Sequence, residues 1–225
     1  MVSKIDLNIS RNIVIRSISA IFLIPLVVYI ILDEIGMFYA IIGLVAVFMG
    51  IEWYRMIKSL NRKLIWSLFA LIYVASFVAS FLWIRYQENG QVLLLWLVIT
   101  TWMADIGAFI FGKIIGGPKL VPKISPQKTW AGFVGAIIFA GLNGITFSKY
   151  FSIRSGYIFV GITMAFGILA QLGDLSESWI KRKANIKNSG KMIPGHGGIL
   201  DRVDSLMGCS IALVILMIFF KKYLF

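Results

Sequence analysis

An all-α integral membrane protein of about seven transmembrane helices, with cytoplasmic catalytic loops, is the fold class this sequence predicts. Three observations predict it. Hydrophobic residues make up 59% of the 225, and the mean hydropathy is +0.88. A soluble domain runs nearer half apolar, so most of this surface must meet lipid. Charged residues are only 14%, below the usual quarter, and they gather between apolar runs. The cations, finally, fall mostly in alternate segments, 17 of the 22, a bias that orients a chain in a bilayer.

The apolar runs are 17–32, 35–51, 64–84, 92–112, 130–147, 156–173 and 205–220. Several are shorter than the roughly 20 residues that cross a hydrocarbon core, so their helices extend into the flanking polar residues. The first follows Lys4, Arg11 and Arg16 in the manner of a secretory leader. No small-residue cleavage site precedes Asp33, however, and a second apolar run follows almost at once, so it reads as an uncleaved first span. Glu52 stands at the end of the second run and reads as interfacial. Residues 1–90 carry few polar groups within their spans and read as a scaffold of membrane helices. Residues 91–225 form one continuous catalytic core, with the polar intramembrane positions and both glycine-rich loops.

With the N-terminus in the cytoplasm and the chain alternating, only Arg85, Lys149, Arg154, Lys221 and Lys222 of the 22 Lys and Arg fall outside. The three long connections all fall inside. A net charge of +12 suggests nucleic acid at first sight, but these cations sit at the ends of apolar segments and serve membrane orientation better. Cys209 is the only cysteine and lies in an apolar run, so no intrachain disulfide forms and the redox compartment cannot be read from it.

The chemistry concentrates between Asp174 and Ser205, which holds four of the ten acidic residues, six of the 22 Lys and Arg, and the only His. Asp174, Glu177, Ser178, Lys181 and Arg182 fall at i, i+3, i+4, i+7 and i+8, one face of a helix. Such a face is often just solvated and ion-paired, but this one continues straight out of an apolar span, where an Asp is costly without a partner. Asp201 and Asp204 flank Arg202 at the start of the last span. Together with Asp174 they can converge on a divalent cation, and hard oxygen ligands suit Mg²⁺ shared with phosphates. Helix capping accounts for one of these Asp residues, not for all three. Between them lies Pro194-Gly195-His196-Gly197-Gly198, where glycines let backbone amides approach a phosphate; alone it is an ordinary tight loop.

The loop 113–129 carries four lysines, two adjacent glycines and three prolines. Ser125-Pro126 and Lys128-Thr129 read as a rigid turn that offers a hydroxyl and an ammonium, although positive-inside charge explains the lysines equally well. Asp105 lies inside an apolar run two turns earlier, and intramembrane carboxylates are functional candidates by default. No GxSxG, HExxH or GxxxxGK[ST] occurs, which argues against a serine hydrolase, a zinc protease and ordinary P-loop chemistry.

Taken together, these segments resemble the CDP-diacylglycerol synthases (phosphatidate cytidylyltransferases). Ser178-Trp-Ile-Lys181-Arg182, Lys187, and Pro194 through Gly-His196-Gly-Gly-Ile-Leu-Asp201-Arg202-Val-Asp204 resemble the family signature. Asp105-Ile-Gly-Ala-Phe-Ile-Phe-Gly112 and Ser125-Pro-Gln-Lys128-Thr-Trp-Ala-Gly132 resemble its intramembrane Asp segment and its SPxKT loop, in the family's order. Two positions depart from the pattern: Asn188 where the family usually has Asp, and Ala131 where it often has Glu or Gln.

The resemblance implies the reaction of CTP with phosphatidate to give CDP-diacylglycerol and pyrophosphate at the inner cell membrane. It further implies Mg²⁺, K⁺ beside it, and a homodimer. Asp174, Asp201 and Asp204 would hold the metal. Lys181, Arg182, Lys187 and Arg202 would hold phosphates, helped by Ser125 and Lys128. Asp105, Glu177 and Ser178 would border the substrates, and His196, Gly197 and Gly198 would shape the nucleotide loop. Chemistry agrees: a phosphate monoester has a second pKa of about 6, so phosphatidate attacks as a dianion and needs charge neutralisation more than a base. The competing readings are a CTP-dependent polyprenol- or phytol-type lipid kinase and an ion-coupled transporter; against the latter, no internal repeat is evident.

Overall fold

A single apolar run in lipid satisfies its backbone within itself by coiling into a helix. The computed structural model describes residues 21–33, 35–151, 153, 155–186, 188–190 and 197–220. Every run expected to span contributes a helix: α1 (Ile21–Leu32), α2 (Ile35–Ile57), α3 (Lys63–Tyr86), α4 (Gly90–Ile114), α5 (Trp130–Tyr150), α6 (Gly156–Lys183) and α7 (Leu200–Phe220). Six of them, α2 to α7, are long and apolar enough to cross a membrane. Large apolar side chains such as Leu71, Phe109 and Phe219 stand exposed on their outer faces, as expected of surfaces that meet acyl chains. The protein is a multi-pass membrane protein.

One segment departs from the all-helical expectation. Between α4 and α5 the chain forms an antiparallel hairpin, β1 (Lys119–Val121) with β2 (Ser125–Thr129), in which Lys119 pairs with Thr129 and Val121 with Ser125. Pro118, Pro122 and Pro126 explain it, because each removes an amide donor and a helix cannot run through them. The hairpin closes onto α5: Trp130 N donates to Pro118 O at 3.1 Å, and the Thr129 hydroxyl caps the helix by accepting from Gly132 N at 3.1 Å.

Helices α4, α5 and α6 pack side by side. Trp96 of α4 is buried between Phe159 and Phe166 of α6, with ring centroids 5.1 and 5.0 Å away, and its indole N–H donates to Thr163 Oγ1 at 3.2 Å. Asn143 of α5 donates to Thr100 Oγ1 of α4 at 2.9 Å. Helices α4 and α5 approach closely because glycine faces glycine. A Cβ on Gly135 would stand 2.5 Å from the Gly107 carbonyl oxygen and 2.6 Å from Phe111 Cβ. The variant Gly135→Val is therefore expected to lose about 1–3 kcal/mol, the usual cost of overpacking. Thermal unfolding of the purified protein in detergent measures this, and an unchanged midpoint would mean that the backbones do not meet there.

The connections sort by end. At one end Ser59 Oγ donates to Ala184 O at 3.0 Å, and Arg182 Nε donates to Ile124 O at 3.2 Å. At the other, Arg85 Nη2 donates to Asp33 O at 2.7 Å and Gln91 Nε2 to Leu32 O at 3.0 Å. The three long loops thus share one end of the bundle, as alternate crossing requires.

Candidate active site

Helix α6 has 28 residues, about 42 Å at 1.5 Å per residue, against a hydrocarbon core of about 30 Å. Its last turns can therefore leave the apolar layer while remaining helical, and these turns carry the predicted charged face. Ser178 Oγ donates to Asp174 Oδ1 at 3.3 Å, and Lys181 Nζ donates to Glu177 Oε2 at 2.8 Å. Lys181 also reaches across to α7, where its Nζ lies 2.6 Å from Asp201 Oδ1. The side chains of Lys181, Glu177 and Asp201 are 11%, 3% and 11% exposed, so one ammonium serves two nearly dry carboxylates.

Arg182 does not join them. Although it shares the predicted face, it is exposed and turned to the hairpin, donating to Ile124 O and, at 3.3 Å, to Ile186 O. A cleft of about 680 Å³ opens there between the hairpin turn and the end of α6, with Lys123, Arg182 and Lys183 on its walls. Lys183 lies 3.9 Å above the Trp179 ring.

A second chain of polar contacts joins α4, the hairpin and α6. Lys128 Nζ lies 2.7 Å from Asp174 Oδ2 and donates to Gln171 Oε1 at 3.0 Å, and Gln171 Nε2 donates to Asp105 Oδ1 at 3.3 Å. Asp105, within α4, is exposed and joins this chain through Gln171. Asp174 is 31% exposed. Ser125 begins β2 in the same hairpin, half-buried.

At the start of α7, Asp201 Oδ2 accepts from Gly198 N at 2.9 Å and Ser189 N at 3.3 Å. Gly197 has φ +85, a conformation that favours glycine. A Cβ on Gly198 would overlap Ser189 Oγ and both carboxylate oxygens of Glu52. Asp204 is buried one turn into the helix, its Oδ1 accepting from Ser205 N at 2.6 Å, and Arg202 lies exposed between the two. Lys187 and His196 lie outside the described residues.

Among the described residues no three acidic, His or Cys side chains stand close enough to form a metal cage. Asp174, Asp201 and Asp204 thus do not form the pre-built three-carboxylate site that their spacing suggested. Asp174 faces Lys128, Asp201 faces Lys181, and Asp204 lies beside Glu177 with its Oδ1 on the α7 backbone. The charges of Asp174 and Asp204 nevertheless act on each other and on Asp105. The donor chemistry fits Mg²⁺ all the same. The oxygens are hard, those of Asp174 are partly open to solvent, and one more, Glu177 Oε1, is buried without a hydrogen-bond partner. Such a group fits a cation whose remaining ligands are substrate phosphates and water.

Sequence reasoning missed three participants. Gln171 is 3% exposed and bridges Asp105 to Lys128; its signal was an i, i+3 relation to Asp174 on one helix face. Ser189 donates to Glu52 and Asp201, and nothing in its neighbours marked it. Glu52, expected at the interface, is instead 0% exposed and bonded to the segments on either side of the glycine turn. A carboxylate at the end of an apolar run looks the same in sequence whether it meets headgroups or an interior partner.

Comparison with known proteins places this geometry in context. Residues 59–221 match the model of the cytidylyltransferase family. The chain is 40% identical over 205 residues to the phosphatidate cytidylyltransferase of Rickettsia bellii (strain RML369-C), covering 87% of each chain. It is 37% identical over 216 residues to that of Rickettsia conorii (strain ATCC VR-613 / Malish 7), covering 92% of each. The phosphatidate cytidylyltransferase of Brucella suis biovar 1 (strain 1330) is 36% identical over 146 residues, 64% of this chain and 54% of the relative.

Proposed function

This chain belongs to the cytidylyltransferase family, and we propose that it is a phosphatidate cytidylyltransferase that makes CDP-diacylglycerol and pyrophosphate from CTP and phosphatidate. The observation that carries this reading is the cluster at the loop end of the bundle, where Lys128 and Lys181 each stand within 3.0 Å of a carboxylate and Gln171 links Lys128 to Asp105.

The reaction forms one P–O bond and breaks another. A phosphate oxygen of phosphatidate attacks the α-phosphorus of CTP, and the oxygen bridging to the β-phosphate leaves with pyrophosphate. The attacking oxygen carries no proton near neutral pH, so no general base is required and His196 need not act as one. What the chain supplies is charge and position. Lys128 and Lys181 are held in place by their carboxylates and present ammonium groups to phosphate oxygens. Arg182 and Arg202 are exposed on either side of the cluster and hold the outer phosphates, with Lys187 and Ser125 assisting.

Asp174, Asp201 and Asp204 would hold Mg²⁺, with K⁺ beside it. Bound there, the metal would neutralise phosphate charge and stabilise the departing pyrophosphate. Asp105 on α4, exposed, would border the lipid headgroup, and Gly197 would present backbone to the nucleotide while Gly198, its amide taken by Asp201, shapes the loop. The cation bias of the loops supports a cytoplasmic position for this end, at the inner cell membrane, where CTP is available.

The test is incubation of the purified protein in detergent with phosphatidate, CTP labelled in the α- or γ-phosphate, and Mg²⁺. The expected result is α-label in the lipid with one pyrophosphate released per lipid converted. Label from the γ-phosphate in the lipid would make the protein a kinase instead, and absence of any lipid product would end the cytidylyltransferase reading.

A further inference from the structure

The carboxylate of Glu52 lies at the end of α2, far in sequence from every candidate site residue, yet it is fully buried and accepts three hydrogen bonds from the far side of the chain. Ile199 N donates to Oε1 at 3.0 Å, while Leu200 N and Ser189 Oγ donate to Oε2, each at 2.9 Å. Ile199 caps α7 and Leu200 opens it, so neither amide has an acceptor within the helix. Here a carboxylate from another helix serves both. The approach is close enough that Gly198 and Gly190 have no room for a Cβ beside Glu52.

The same segments serve a second carboxylate. Ser189 N and Gly198 N, adjoining the groups that Glu52 holds, donate to Asp201 Oδ2, and Asp201 Oδ1 lies 2.6 Å from Lys181 Nζ. Glu52 therefore holds the frame from which Asp201 sets the Lys181 ammonium. We infer that Glu52 is a positioning residue for the reaction, acting through Ser189, the α7 N-terminus and Asp201 on Lys181 without touching substrate. This inference rests on the cytidylyltransferase reading for its kinetic consequence, but not for its structural one.

Glu52→Gln is the decisive variant. A carboxamide keeps the shape but turns an N–H₂ toward one of the two backbone donors, so at least one hydrogen bond is lost whichever way the amide points. Two readouts apply to the purified full-length protein in detergent. In hydrogen–deuterium exchange, the amides of Ile199 and Leu200 are expected to exchange at least about 10-fold faster in the variant, the equivalent of one net hydrogen bond. In steady-state assay, kcat per folded molecule is expected to fall about 10- to 100-fold, the scale of a displacement of about 1 Å. KM for CTP rises and KM for phosphatidate stays as in wild type.

Wild-type exchange and kinetics in Glu52→Gln would overturn the inference. So would a loss of activity that only tracks the folded fraction, with both KM values unchanged, because that is a purely structural carboxylate. If Glu52→Gln does not fold, Ser189→Ala removes a single donor and is read in the same way, with smaller changes in the same directions; no change there overturns the inference too. If wild-type protein makes no CDP-diacylglycerol, the reaction reading fails separately, and exchange alone decides whether Glu52 holds the turn.

Discussion

Replacing Lys181 with Met is expected to abolish turnover and to cost the folded protein about 3–5 kcal/mol, the penalty for breaking a buried ion pair by removing one partner. The reason lies in the geometry around its ammonium, 2.8 Å from Glu177 Oε2 and 2.6 Å from Asp201 Oδ1. Both carboxylates are nearly inaccessible to water, and Glu177 Oε1 already has no hydrogen-bond partner. Without Lys181, two negative charges face each other in a poorly solvated space. The double variant Lys181→Met with Glu177→Gln removes one of those charges. It is expected to recover part of the stability but none of the turnover, which separates structural loss from loss of a phosphate-binding cation. Thermal unfolding and the CTP-dependent assay, run on the same preparations, provide the check. A single Lys181→Met variant that melts and turns over like wild type would remove Lys181 from the site.

Chelation of Mg²⁺ is expected to lower turnover by at least about 10³-fold, corresponding to the several kcal/mol that a metal contributes to charge stabilisation at a phosphoryl group. Asp174→Asn is expected to reproduce much of that loss, with saturating Mg²⁺ restoring part of it, because the carboxamide retains an oxygen ligand but not the charge. Asp174 suits this test because it is the more open of the two paired aspartates, at 31% exposed against 11% for Asp201, and its replacement strands no buried lysine. Lys128 keeps its hydrogen bond to Gln171. The measurement is turnover against Mg²⁺ concentration for wild type, Asp174→Asn and Asp204→Asn. Identical curves for all three would sink the metal assignment.

Much of the architecture was legible before any coordinates. Each of the seven apolar runs contributes a helix, because a lipid-exposed backbone has no other partner than itself. The face of Asp174, Glu177, Ser178 and Lys181 was legible for a related reason: neighbours three and four apart on a helix meet whatever surrounds them. The same rule misplaced Arg182, since a long side chain at the helix end follows the partner within reach, here the hairpin carbonyl of Ile124. The hairpin itself was half legible. Its prolines announced a rigid non-helical turn, but two short strands carry no periodicity long enough to read.

Composition and cation placement alone determined that this is a multi-pass membrane protein and which loops carry its charge, while its cytidylyltransferase type rested on the resemblance of its motifs to a known family. Local rules suffice for that, because transfer of apolar surface into lipid and helical periodicity depend only on nearby residues. The choice of partners belongs to the tertiary structure. That Lys128 meets Asp174, that Lys181 bridges Glu177 and Asp201, that Gln171 ties Asp105 to Lys128, and that Glu52 grips the start of α7 all depend on where helices cross. A buried charge takes whichever partner the packing brings within about 3 Å, and that distance is set by the whole bundle.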